Sequence, residues 1–321
     1  MKKIMSLSLE YWVLIGIAVI SLVLIMFSSV KAGESPFRFN GADPWTSSGY
    51  RLVTVGTKAD EDVGSSFPQA GCVLDTNGLV SHWPLDDNSG STTFDDVVGS
   101  IDGTCTGGTC PTRTPGKFGL GGAYNFVASE KDVISVPADV DPGKTLYDTM
   151  VSGDFSAGVW VKTTQYCAID LDQKNKVFFG RYRQLGANGT WWLGCTEPGG
   201  VAVFRLRDST NAVRQIDGTT NITDGQWHFI VGVRDSVNDK NYLYVDGKLE
   251  GMLDSPAYPG VFSSDMPITM GAYDEPTNYY LDGTLDDVVL YDRVLAPQEI
   301  STYFDACNVP TSNTYLPLAI R

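Results

Sequence analysis

Short runs of alternating apolar and polar residues, each cut off by Gly, Asn or Asp, fill the chain after residue 72. Residues 133–136, 155–161, 201–206, 227–233, 242–245 and 285–291 are the clearest of them. A period of two puts the apolar side chains on one face of a strand, and runs this short bury a core only when many are layered together. Helical periodicity beyond about two turns is confined to residues 296–304, after the last run. The pattern predicts an all-β fold of the sandwich or barrel kind. Apolar residues make up 42% of the 321, enough to bury a core. No fixed-period repeat points to a solenoid or propeller.

Charge and rare residues narrow the function. A formal net charge of −15 excludes a nucleic-acid partner, because phosphate binding needs clustered Lys and Arg. The acidic surplus is read as a solvated surface, and it also permits bound Ca²⁺, a cation that takes oxygen ligands. Two histidines and six cysteines without a C-x-x-C pair leave little for a zinc shell. His82 beside Trp83 and His228 beside Trp227 lie in strand-like runs and are read as packed or surface residues rather than bases. No G-x-S-x-G elbow supports a nucleophilic serine.

Residues 1–32 read as an export or membrane segment. Lys2 and Lys3 flank an apolar run from Trp12 to Val30, long enough to span a bilayer as a helix. It suits a signal peptide cleaved after Ala32, or an anchor that keeps Lys2 and Lys3 inside. Glu10, just ahead of the apolar run in Ser6–Tyr11, resembles the start of type IV pilin-like proteins, although Met5 stands where those precursors carry Gly. All three readings export the rest of the chain to the cell surface or beyond. The pilin-like reading implies self-assembly of a filament subunit. An even cysteine count in an exported chain reads as disulfides. Cys105 and Cys110 can close a small loop, and Cys167 and Cys195 can staple neighbouring strands.

Residues 33–71, rich in Gly, Ser, Pro and Asp, read as a stalk, and residues 308–321 as a tail. Between them, 72–307 resembles a laminin-G-like domain of the concanavalin-A-like lectin and glucanase superfamily. The residues that carry the resemblance run in order. They are Gly78–Gly90 with its His82-Trp83-Pro84-Leu85-Asp86-Asp87, then Asp95 and Asp102-Gly103-Thr104, then Asp154-Phe155-Ser156 and Trp160-Val161-Lys162. Asp224-Gly225-Gln226-Trp227-His228, Val245-Asp246-Gly247, Gly283–Leu295 and Glu299-Ile300 follow. The resemblance implies a two-sheet antiparallel jelly-roll sandwich behind the N-terminal apolar helix. It implies a structural Ca²⁺ on Asp86, Asp95 and Asp286, an Asp of the closing strand meeting acids near the opening one. It also implies that the domain's two ends lie together, which would pair Cys72 with Cys307. By period two, Asp286, Val288 and Leu290 share the core-facing side of the closing strand, and Asp287 faces the other way.

Enzymes of this superfamily carry alternating acids of the form E-x-D-x-E on one strand, and no such run exists here. Asp170-Leu171-Asp172 and Glu130-Lys131-Asp132 are the nearest, and both read as solvated turns. The expected function is therefore non-catalytic: adhesion, or binding of a surface glycan or protein, with a glycoside hydrolase the least favoured reading. Sugars stack on aromatics with polar neighbours, and Tyr182, Trp191, Trp192 and Tyr273, with Tyr279 and Tyr280, are the candidates. Adjacent Trp191 and Trp192 point to opposite faces, so at most one is exposed. Asn188 and Asn221 fit the N-x-S/T glycosylation pattern.

Overall fold

The computed structural model describes residues 74–117, 121–137, 153–167, 176–181, 190–254, 267–273 and 279–308. All belong to the second of two units into which the chain divides, residues 64–321. The N-terminal segment, the stalk and the C-terminal tail lie outside the described residues, as do Cys72, Asp170, Asp172, Tyr182 and Asn188.

In chain order the described strands are β1 (Leu79–Trp83), β2 (Thr93–Phe94), β3 (Gly103–Thr104), β4 (Thr112–Pro115), β5 (Gly122–Phe126), β6 (Ile134–Val136), β7 (Phe155–Thr163) and β8 (Lys176–Arg181). They continue with β9 (Thr190–Thr196), β10 (Val201–Arg207), β11 (Val213–Asn221), β12 (Trp227–Asp235), β13 (Lys240–Val245), β14 (Lys248–Asp254), β15 (Ile268–Met270) and β16 (Gly283–Tyr291). One α-helix follows, α1 (Pro297–Cys307).

The strands form two antiparallel sheets. The first has the order β14-β13-β12-β7-β16-β5-β4, with β1 also on β16, and the second runs β11-β10-β9-β8-β15-β6-β3-β2. The expected all-β sandwich is thus present. Inward-facing Phe155, Val159 and Val161 of β7 meet Trp191, Leu193 and Phe204 of the second sheet in one buried core. The rings of Phe155 and Trp191 lie 5.4 Å apart, and those of Phe155 and Phe204 6.2 Å apart. Burying such a side chain is worth about 1.5–3 kcal/mol each, which is how strands of no helical or solenoid regularity are held together.

Helix α1 covers the outer face of the first sheet. Pro297 suits its first turn, where no N–H is needed, and Glu299 reaches back to accept the Ala296 N–H at 2.7 Å. Ile300, Tyr303, Phe304 and Cys307 recur at helical spacing and pack on Trp160, Phe229, Val231, Val289 and Tyr291. The Asn308 N–H closes the other end on the Asp305 carbonyl.

The closing strand departs from its sequence reading. One edge of β16 pairs with β7, while the other is shared by β5 at Gly283–Leu285 and β1 at Val288–Tyr291. The register shifts between Asp286 and Val289, and Asp287 takes a left-handed φ of 43°. This bulge adds one residue and reverses the alternation. Leu285, Val288 and Leu290 face the core, whereas Val289 and Tyr291 join the helix-side cluster. Asp286, on the opposite side from its neighbour Leu285, turns away from the core and accepts the Lys117 N–H at 2.8 Å. It does not share a face with Val288 and Leu290.

Candidate functional site: a polar groove beside Trp227

On the outer face of the first sheet, beyond the end of α1's apolar cover, polar residues replace the aromatics. Cross-strand register places Trp227 of β12 opposite Lys162 of β7, Lys162 opposite Thr284 of β16, and Thr284 opposite Asn125 of β5. Each alternates with an inward residue, Val161, Leu285 or Tyr124, so the row is a direct product of period two. Together with Thr164 and Asp282 these residues line an open groove of about 410 Å³. Lys162 is exposed, and Trp227 is half-buried and packs against the helix-side cluster.

The rim of the groove is rigid. Thr163 Oγ1 donates to the Asp282 carbonyl at 2.5 Å. The Gln165 amide donates to the Tyr280 carbonyl at 3.0 Å and accepts the Asp282 N–H at 2.9 Å. Cys167, two residues further on, is buried and bonded to Cys195. Between these two fixed points Tyr166 projects with 73% of its surface exposed, the sole strongly exposed aromatic among the described residues. A polar row with an aromatic wall suits a ring with one apolar face and many hydroxyls.

Of the aromatics singled out from the sequence, Trp191, Trp192, Tyr273 and Tyr279 are buried. Trp191 and Trp192 do alternate, but each is 1% exposed. Strand β9 is central in its sheet: Trp191 enters the inter-sheet core, and Trp192 packs under Tyr273 and Tyr279 with Val177 and Val203. Tyr273 is itself buried, its ring 4.3 Å from that of Tyr279 and tilted 51° to it. They form a second apolar layer rather than a platform. Tyr166 was missed because one Tyr in a polar loop looks like any surface residue. Its position one residue before Cys167 was the available signal.

Among the described residues no group of three or more His, Cys, Asp or Glu is placed to hold a metal ion. Asp86 accepts the Gly122 N–H and Asp286 that of Lys117, while exposed Asp95 lies beside Asp87, to whose Oδ1 it donates its N–H at 3.1 Å. Asp86 lies within electrostatic reach of Asp286, and both Asp86 and Asp95 act on Asp87. Burial raises the Asp286 pKa well above the usual carboxylate range, and the charges of Asp287 and Asp86 add to it.

Glu130 is exposed, but Asp132 is fully buried and accepts the Val127 N–H at 2.8 Å, correcting its reading as a solvated turn residue. His82 Nε2 lies 2.8 Å from Asp287 Oδ1, and buried His228 contacts Asp224 and Asp246. Asn221 is exposed, and its side-chain oxygen accepts the Thr223 N–H and hydroxyl, each at 2.9 Å. Cys105 and Cys110 are bonded with Cα atoms 5.2 Å apart, and Cys167 and Cys195 with Cα atoms 5.7 Å apart. Cys307 is also disulfide-bonded.

Two antiparallel sheets packed face to face, with little helix, define a jelly-roll β-sandwich. A family model described as the concanavalin A-like lectin/glucanases superfamily matches residues 135–301, just over half the chain, and the chain belongs to that family. No curated protein sequence matches. Among solved structures, the binding domain of Paraclostridial Mosquitocidal Protein 1 superposes with a TM-score of 0.53 at 15% identity, covering 71% of this chain and 52% of that one. The binding domain of botulinum neurotoxin DC, solved in complex with rat synaptotagmin II, gives 0.53 at 15%, covering 72% and 52%. Domain 4 of AbnA, a GH43 extracellular arabinanase from Geobacillus stearothermophilus in complex with arabinotriose, gives 0.50 at 21%, covering 70% and 97%. The chain spans about half the length of the two toxin chains.

Proposed function

We propose that this chain is an extracytoplasmic, non-catalytic binding module whose groove beside Trp227 takes a surface glycan. The groove carries the reading: half-buried Trp227 walls a polar row of Lys162, Asn125 and Thr284, and the exposed Tyr166 follows the lining residue Thr164 by two positions. A sugar stacks its apolar face on Tyr166 and Trp227, and its hydroxyls bond to the polar row. Disulfides suit an oxidising compartment outside the cytoplasm. The complex of AbnA domain 4 with arabinotriose supports a saccharide as the class of ligand for this fold. The non-catalytic part of the reading rests on the sequence, which lacks the E-x-D-x-E run of the superfamily's glucanases.

A glycan array probed with the full chain and with Tyr166→Ala tests the reading. The wild type is expected to bind a defined saccharide class and the variant to bind it roughly tenfold more weakly, the scale of one lost aromatic contact. An array without a binder, or a binder held equally well by Tyr166→Ala and Trp227→Ala, would overturn it.

A further inference from the structure

One wall of the groove is tied down by an imidazole. His228, buried at the start of β12, has Nδ1 2.8 Å from Asp246 Oδ2 and Nε2 3.2 Å from Asp224 Oδ1. Asp246 sits in the β13–β14 turn, where it and Gly247 take φ of 51° and 74°, and its Oδ1 accepts the Phe229 N–H at 3.0 Å. Asp224 opens the turn into β12, and its Oδ1 also accepts the Gln226 N–H at 2.7 Å. The next residue, Gly225, donates its N–H to the Thr163 carbonyl at 3.0 Å, and both Gly225 and Thr163 line the groove.

A carboxylate only accepts hydrogen bonds, and a neutral imidazole has a single N–H to give. Both contacts of His228 are hydrogen bonds only when the ring is an imidazolium. After deprotonation one ring nitrogen turns a lone pair toward a carboxylate, and that contact becomes repulsive. The Asp246 contact is the shorter, and Asp246 is 26% exposed against 42% for Asp224. Asp224 is therefore the partner that water can take over.

We propose that His228 is a pH-operated latch on the groove, holding the Asp224–Gly225 turn against β7 as an imidazolium and freeing it, with the wall beside Trp227, when the proton leaves. This deepens the groove reading and rests on it for its functional meaning. The charged groups acting on His228 are Asp224 and Asp246, and Lys117 acts on Asp246 from the segment after β4. Burial pulls the His228 pKa down, but the two carboxylates more than offset it and leave it above the ordinary 6.5. A raised folded value means the latch is fully closed below the ordinary value and is lost as pH rises through the raised one.

Amide hydrogen exchange of Gly225 in the full chain, followed by NMR at about pH 5.5 and about pH 8 and corrected for intrinsic exchange, tests the latch. Opening at Gly225 is expected to rise roughly tenfold at the higher pH. In Asp224→Asn the side-chain amide can donate to the neutral ring, so the pH step should vanish. A wild type without the step, or an Asp224→Asn chain that keeps it, would overturn the latch. No saccharide enters this measurement, so an array without a binder would sink the groove reading and leave the exchange result standing.

Discussion

Asp287 shows how much one residue decides. Its left-handed φ is uncommon for a residue other than Gly, although Asp tolerates it better than most. The strain is offset by the bond from its carboxylate to His82 of β1, which pins the strand that takes over the β16 edge beyond the bulge. The bulge takes up Asp287 as one extra residue, so that Val288 and Leu290 lie in the core while Asp286 stays outside it. Deleting Asp287 leaves Leu285, Asp286, Val288, Val289, Leu290 and Tyr291 in plain alternation on the faces they already occupy, and costs the contact with His82. The expected outcome is a chain that still melts cooperatively by calorimetry, about 1–3 kcal/mol less stable than the wild type. A chain with no cooperative melt would show that the bulge itself is indispensable.

Between elements, a carboxylate on the edge of one sheet reaches the edge of the other. Strands β14 and β11 are edges of different sheets, and Glu250 of β14 accepts the Thr219 N–H at 2.7 Å, the Thr220 N–H at 3.1 Å and the Thr220 hydroxyl. Glu250→Ala leaves those donors to find water and should lower stability by about 1–3 kcal/mol in denaturant titration, with Glu250→Gln intermediate. An unchanged midpoint would mean the edges are held by packing alone. The strands themselves were legible in the sequence, because 155–161, 201–206 and 227–233 alternate cleanly, and so was helix α1. The bulge was not, because an alternation rule counts residues and has no signal for an inserted one. Trp191 and Trp192 were placed on opposite faces, but the cover over Trp192 comes from Tyr273 and Tyr279, far along the chain. The groove row was hidden for the same reason: Trp227, Lys162, Thr284 and Asn125 become neighbours only through pairing across four strands.

At the scale of the whole domain, the sandwich supplies rigidity and the groove supplies chemistry. Two buried layers and a helix hold the first sheet, so its polar end can be lined for recognition rather than for packing. The central claim is that this polar end, with Tyr166 and Trp227, is where a saccharide binds. The direct measurement is a crystal structure of the chain soaked with the tightest-binding saccharide from the array. The account predicts a sugar ring against Tyr166 or Trp227, with hydroxyls within hydrogen-bond distance of Lys162, Thr284 or Asn125. A sugar ordered elsewhere on the domain, with the groove holding only water, would contradict it.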